Sequence, residues 1–279
     1  MPTLSLAIHQ LLLTRTRSGP QAVARSDGVP AEWDELAVQI ATEFGPRPAG
    51  VKCPAALFAC PFGPKHVAVV QVADLPPDGG DPPLGFRFLI LEKLLYAFLG
   101  DPFEIADRFP PDWSAKRSLA TLEWPPEVTK RTVEQVRAVL QTGDGPLLLG
   151  SAQALVDGAR IAWARAEPDD AFFRGLWQLL PFTTRWEFYP ATFAFSNGLK
   201  FHAAALAVPA DDRRVLGEEQ VRDYPEGRYE YNLQHAAEMG DQAELDRLFA
   251  RRSSRETLRL ALVIFALVFL LIVAKVLLR

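Results

Sequence analysis

Through the first 208 residues the apolar positions fall in two patterns. Some form short continuous or alternating runs; others recur every three or four residues over stretches of about ten. Residues 4–14 are rich in Leu and Ile between Pro2 and Ser18-Gly19-Pro20 and read as a strand, with a second at 21–25 ending in Ser26-Asp27-Gly28. Pro30 opens the clearest helix: Trp33, Leu36, Ala37, Ile40, Ala41 and Phe44 share a face, and Gly45 stands where a C-cap belongs. Strands are predicted at 55–60 and 66–73, joined by a hairpin at Pro61-Phe62-Gly63-Pro64. Residues 75–85 are a loop, and 86–91 a strand running into a helix at 92–99 that Gly100-Asp101-Pro102 stops.

Further on, helical spacing marks 129–140 (Val133, Val136, Val139, Leu140), 147–156 and 169–180, the last opening on two acids that suit its N-terminal dipole. Strands are expected at 161–165, 185–188, 191–196 and 200–208, with Asn197-Gly198 as a tight hairpin turn between the last two. The fold class is α+β, a body over 1–208. Residues 209–228 are polar and turn-rich and read as a linker. Residues 229–250 read as a helical hairpin about Met239-Gly240-Asp241; it looks like one ankyrin-type unit, but a lone unit cannot bury its own face, so a hairpin packed on the body is the better reading.

Residues 260–274 are an unbroken apolar run. Extended to 258–278 it would span ~31 Å as a helix, enough for a ~30 Å hydrocarbon core, with Arg259 and Lys275 near its ends. This predicts one transmembrane helix, a C-terminal anchor carrying Leu258, Leu260, Phe265, Phe269 and Leu278. Arg251, Arg252, Arg255 and Arg259 form a basic collar facing anionic lipid, which places the body in the cytoplasm. No Lys or Arg precedes Arg15, so no secretory leader is expected and the chain reads as tail-anchored and single-pass. Residues 251–279 carry six basic side chains and one acid, leaving the body at −9 within a net −4. Such a body is a poor partner for nucleic acid. Cys53 and Cys60 are too few for a disulfide framework and are expected as free thiols.

The chain lacks a Gly-rich phosphate loop, and Gly150-Ser151-Ala152-Gln153 is no nucleophile elbow. His9, His66, His202 and His235 are scattered, the two cysteines have no metal-site spacing, and Asp78-Gly79-Gly80-Asp81 lacks the ligands of a calcium loop. No catalytic residue, metal or cofactor is expected. Two alternatives stand beside a non-enzymatic reading: a membrane-bound hydrolase using His9 or His202, and a small-ligand sensor built on Trp113, Trp124, Trp163, Trp177 and Trp186.

Ile8-His9-Gln10-Leu11-Leu12-Leu13-Thr14, followed by Gln21-Ala22-Val23-Ala24-Arg25-Ser26-Asp27-Gly28, resembles the opening of the N-terminal domain of the bacterial GTPase-associated protein family. Leu179-Leu180-Pro181, with Arg185 and Phe193 after it, is similar to a later passage of that family. Leu13 stands where the family has an aromatic, Asp27 where it has proline, and the connector holds only Gly19. The resemblance implies an adaptor that works beside a GTPase or other NTPase module. No catalytic residues carry over, and His9 and Arg25 are the candidate partner surface. The expected function is thus a tail-anchored adaptor that tethers a protein partner at the membrane.

Overall fold

Short-range chemistry dictates the first half. The structure, a computed structural model, describes residues 5–77, 82–114, 117–125, 130–209, 212–251 and 265. β1 (Ala7–Thr16) and β2 (Gly19–Ser26) make a hairpin, followed by α1 (Glu32–Glu43), which has three acids in its first turn and buries Ala37, Ile40 and Ala41. β3 (Ala56–Phe62) and β4 (His66–Asp74) form a second hairpin whose turn uses Gly63 at φ +65°. β5 (Leu84–Glu92) leads into α2 (Lys93–Leu99), which ends on the left-handed Gly100. Asp101 then caps α3 (Pro102–Arg108), and β6 (Arg117–Leu119) and β7 (Leu122–Glu123) are short edge pieces.

Helices dominate the second half. α4 (Val133–Thr142) opens with a capping box of Thr132 and Gln135, and α5 (Gly145–Val156) is buried almost all round. β8 (Arg160–Ala164), α6 (Asp170–Leu179), α7 (Phe182–Glu187), β9 (Pro190–Ala194), β10 (Ala203–Leu206), β11 (Val215–Leu216) and α8 (Glu218–Arg222) come next. α9 (Arg228–Met239) and α10 (Gln242–Phe249) form a hairpin about Gly240, and α9 packs on α4 and α5.

The fold is α+β on one mixed sheet of order β11-β8-β10-β9-β3-β4-β5-β1-β2-β6, with β7 beside β1. From β9 to β2 every pairing is antiparallel, whereas β11, β8, β10 and β9 run parallel. β5 is covered on both faces. Phe86 and Phe88 meet Phe44 and Phe62 on the α1 side, while Arg87 reaches the Phe109 carbonyl beyond α3 on the other.

Four expectations are corrected. β9 and β10 are not a hairpin at Asn197-Gly198 but parallel neighbours. The connecting loop doubles back because it buries Phe195 and Phe201, each worth about 2 kcal/mol or more, which outweighs a local turn preference. Residues 185–188 belong not to a strand but to α7 and its cap: Pro181 opens the helix, and the amides of Arg185 and Phe188 bond to the carbonyls of Pro181 and Thr184. Residues 209–228 are no linker, since β11 extends the sheet and α8 packs on α5. A Cβ on Gly150 would lie 2.3 Å from the Val221 carbonyl oxygen, so only glycine permits that approach.

The fourth correction concerns the membrane. Among the described residues no helix is long and apolar enough to cross one. The longest, α1, α5 and α9, have 12 residues, about 18 Å against a core of about 30 Å. The span expected at 258–278 lies outside the described residues except for Phe265, an exposed helical residue; Leu258, Leu260, Phe269 and Leu278 of the anchor, and Arg252, Arg255 and Arg259 of the collar, lie outside with it. The transmembrane helix, the single-pass tail anchor, the lipid contact and the cytoplasmic placement drawn from them are withdrawn.

Candidate functional site

The C-terminal end of α6 exposes carbonyls that need donors. Side chains from two distant segments supply them. Tyr229 on α9 donates its hydroxyl to the Leu179 carbonyl, and Arg131, just before α4, donates Nη1 to the carbonyls of Gln178 at 2.9 Å and Leu180 at 2.6 Å. The guanidinium of Arg131 also lies over the Phe249 ring, 3.5 Å from its centre. Burial, aided by the charge of Arg185, pushes Arg131 down to about 9, although Tyr229, Asp101 and Asp246 pull the other way.

A second buried cation sits beside it. Asp101 caps α3 by accepting from the amides of Phe103 at 3.0 Å and Glu104 at 3.2 Å through one oxygen, and takes Arg185 Nη2 on the other. Both side chains of this pair are under a tenth exposed, and Arg185 Nε is buried with no hydrogen-bond partner. Trp177 Nε1 donates to the Gly100 carbonyl at 3.2 Å, which locks α6 to the turn before α3.

Arg131, Asp101 and Arg185 line one end of a cavity of about 830 Å³ running along α6 between α3, α4 and α5. Its apolar wall includes Phe103, Val139, Leu148 and Phe172. At its rim Arg174 is held by Asp107 and Asp170, while Arg165 joins Asp169 at 3.1 Å and Glu218 at 2.7 Å. Arg222 ties Glu218 to Asp144 at the start of α5. Hydrogen bonds from these arginines hold Glu218 and Asp144 below the usual carboxylate range. Carboxylates so held stay ionised and are poor proton carriers near neutral pH.

The residues singled out from sequence lie elsewhere. His9 meets Trp33 of α1 edge-on at 5.6 Å, with Nδ1 buried and unpartnered. Arg25 pairs with Asp34 of α1 at 3.0 Å on the surface, so both candidate partner residues lie against the start of one helix. His202 stacks on Phe188 at 4.5 Å and accepts from the Tyr189 amide. Five strand spacings, about 24 Å, separate β1 from β10, too far for His9 and His202 to share a reaction. No tryptophan lines the cavity; Trp124, Trp163 and Trp177 fill the core. Cys53 and Cys60 are free and buried. Asp78–Asp81 lie outside the described residues.

Sequence reading misses Arg131, Asp101 and Arg185 as a set. The Asp-Pro step at 101–102 signals a helix cap, but the partner of Asp101 stands 84 positions away and no local pattern announces it. No family model matches the chain, and no curated protein and no solved structure matches it.

Proposed function

We propose that the chain is a recognition module without chemistry of its own, and that the cavity along α6 is where it reads its ligand. One observation carries this reading: the cavity combines the volume of a small-molecule site with an apolar wall and, at one end, two arginines of which only Arg185 is paired with a carboxylate, Asp101. Arg131, Arg165, Arg174 and Arg185 are tied to carboxylates or to backbone carbonyls, an arrangement suited to binding rather than proton transfer. The adaptor reading implied by the opening motif is kept in this form, with a GTPase or other NTPase module as the protein that senses the loaded state.

Ala171 is an exposed residue of α6 on the cavity wall, so Ala171→Trp narrows the cavity without disturbing the core. A thermal-shift screen of the full chain should find compounds that raise the Tm of the wild type by about 5 °C or more near a hundred times Kd. Those compounds should leave Ala171→Trp unmoved. If no compound stabilises the wild type, or if Ala171→Trp responds equally, the cavity is not the binding site.

A further inference from the structure

Charge is spread unevenly along the cavity. At the rim and just behind it, Arg165, Arg174 and Arg222 face five carboxylates: Asp107, Asp144, Asp169, Asp170 and Glu218. At the other end Arg131 and Arg185, with Lys130 next to Arg131 in the chain, line the cavity with Asp101 and Glu104 at the start of α3; bases outnumber acids there, and Asp101 is already taken by Arg185 and two amides. Asp246 also attracts Arg131, but from α10, outside the lining. One end of the cavity thus favours an anion and the other a cation.

Arg131 is built to receive the anion. Nη1 is spent on two carbonyls and the plane of the group is fixed over Phe249. Among the described residues nothing accepts from Nε or Nη2. That free edge presents two parallel N–H bonds, the spacing a carboxylate takes bidentately. A doubly charged phosphate would suit the same edge, but the acidic rim opposes it.

Resting on the reading of the cavity as a binding site, we propose that its ligand is a zwitterion of the amino-acid or short-peptide type. Its carboxylate sits on Arg131, an apolar body lies along Phe103, Val139 and Phe172, and an ammonium group is placed among the rim carboxylates. Bringing in a carboxylate also relieves the repulsion between Arg131 and Arg185.

Titration calorimetry on the full chain tests this with four probes: L-phenylalanine, its dipeptide, its amide and its N-acetyl derivative. Phenylalanine or the dipeptide should bind, and the better of the two tells whether a free amino acid or a peptide terminus is the natural form. The amide, which lacks the carboxylate, and the N-acetyl form, which lacks the ammonium, should each bind at least about tenfold more weakly. Arg131→Lys keeps a charge but loses the fork, and should weaken phenylalanine by a similar factor. Asp107→Asn should weaken phenylalanine and leave the N-acetyl form unchanged, a split that a purely structural role would not produce. Equal binding of the amide or of the N-acetyl form would overturn the proposal even if Arg131→Lys failed to fold. Should none of the four bind while another compound stabilises the wild type and not Ala171→Trp, the zwitterion is wrong and the cavity reading stands. If nothing at all binds, both fall.

Discussion

The antiparallel half, β1 to β5 with α1, and the helix-rich half from α4 onward solve the same problem in different ways. In the first, β1–β2 and β3–β4 pair through tight turns, and polar side chains are buried as locks between adjacent strands: Arg87 holds Gln10 and Gln71 on its two neighbouring strands. In the second, the chain passes from β8 to β9 through α6 and α7, and the locks join helices and loops rather than neighbouring strands, as Arg185 joins Asp101 and Arg131 joins α6. Pairing through turns leaves a sheet filled by its own side chains. Pairing through helices leaves a crevice where several helices meet, and there the charged cavity lies.

The sharpest test of this contrast is to break one ion pair on each side: the buried pair that ties Arg185 of the helix-rich half to Asp101, and the half-buried Arg47–Asp74 pair beside the antiparallel strands. Asp101→Ala strands Arg185 in the interior and uncaps α3, and should cost about 3–5 kcal/mol. Asp74→Ala removes the partner of Arg47, but that guanidinium keeps the Val51 and Pro82 carbonyls and the Phe195 ring. It should cost less, about 1–3 kcal/mol. Urea midpoints of the two variants check the order; an equal or reversed cost would show that the helix-rich half does not depend on its long-range lock.

Legibility in the sequence divides along the same line. Trp33 to Phe44 at helical spacing, and the hairpin at Pro61–Pro64, are local patterns and identify α1 and the β3–β4 pair directly. The β9–β10 pair is hidden because Asn197-Gly198 is a strong local signal, while the burial of Phe195 and Phe201 against Phe44 and Phe58 is decided by distant residues. α8 reads as linker because its residues are polar and its packing rests on the missing side chain of Gly150. The cavity is illegible for the same reason: its charged residues come from several helices and a strand end, and none is unusual in its own neighbourhood.

Gly150→Ala probes that close packing. Alanine gains roughly 1 kcal/mol over glycine in a helix, but its Cβ must push the Val221 carbonyl away, and the net cost should be about 2 kcal/mol. Loosening should be confined to α8 and be read as faster amide exchange over 218–222. Gly28→Ala, at φ +79° with nothing within 4 Å of the added carbon, should cost only backbone strain of about 1 kcal/mol and leave exchange at α8 unchanged. Faster exchange across the antiparallel strands in Gly150→Ala would mean that the two halves unfold as one unit.

The last contrast is in pH. Burial, reinforced by the charge of Asp74, pushes the Cys53 thiol from its ordinary 9.0 up to about 12. The folded state therefore retains a proton that the unfolded chain gives up, so this stability is fully present below pH 9 and is lost as pH climbs from 9 towards 12. Arg131 runs the other way. Its folded value near 9 lies below the unfolded one, so raising pH above 9 lifts a cost of burying its charge. Cys53→Ala lowers stability at every pH by removing a packed sulfur, but it should flatten the alkaline fall by about 1 kcal/mol between roughly pH 9 and pH 10. Urea midpoints of wild type and variant at those two values measure the difference. Parallel falls would show that the Cys53 thiol titrates normally, and that the antiparallel half holds its alkaline sensitivity elsewhere.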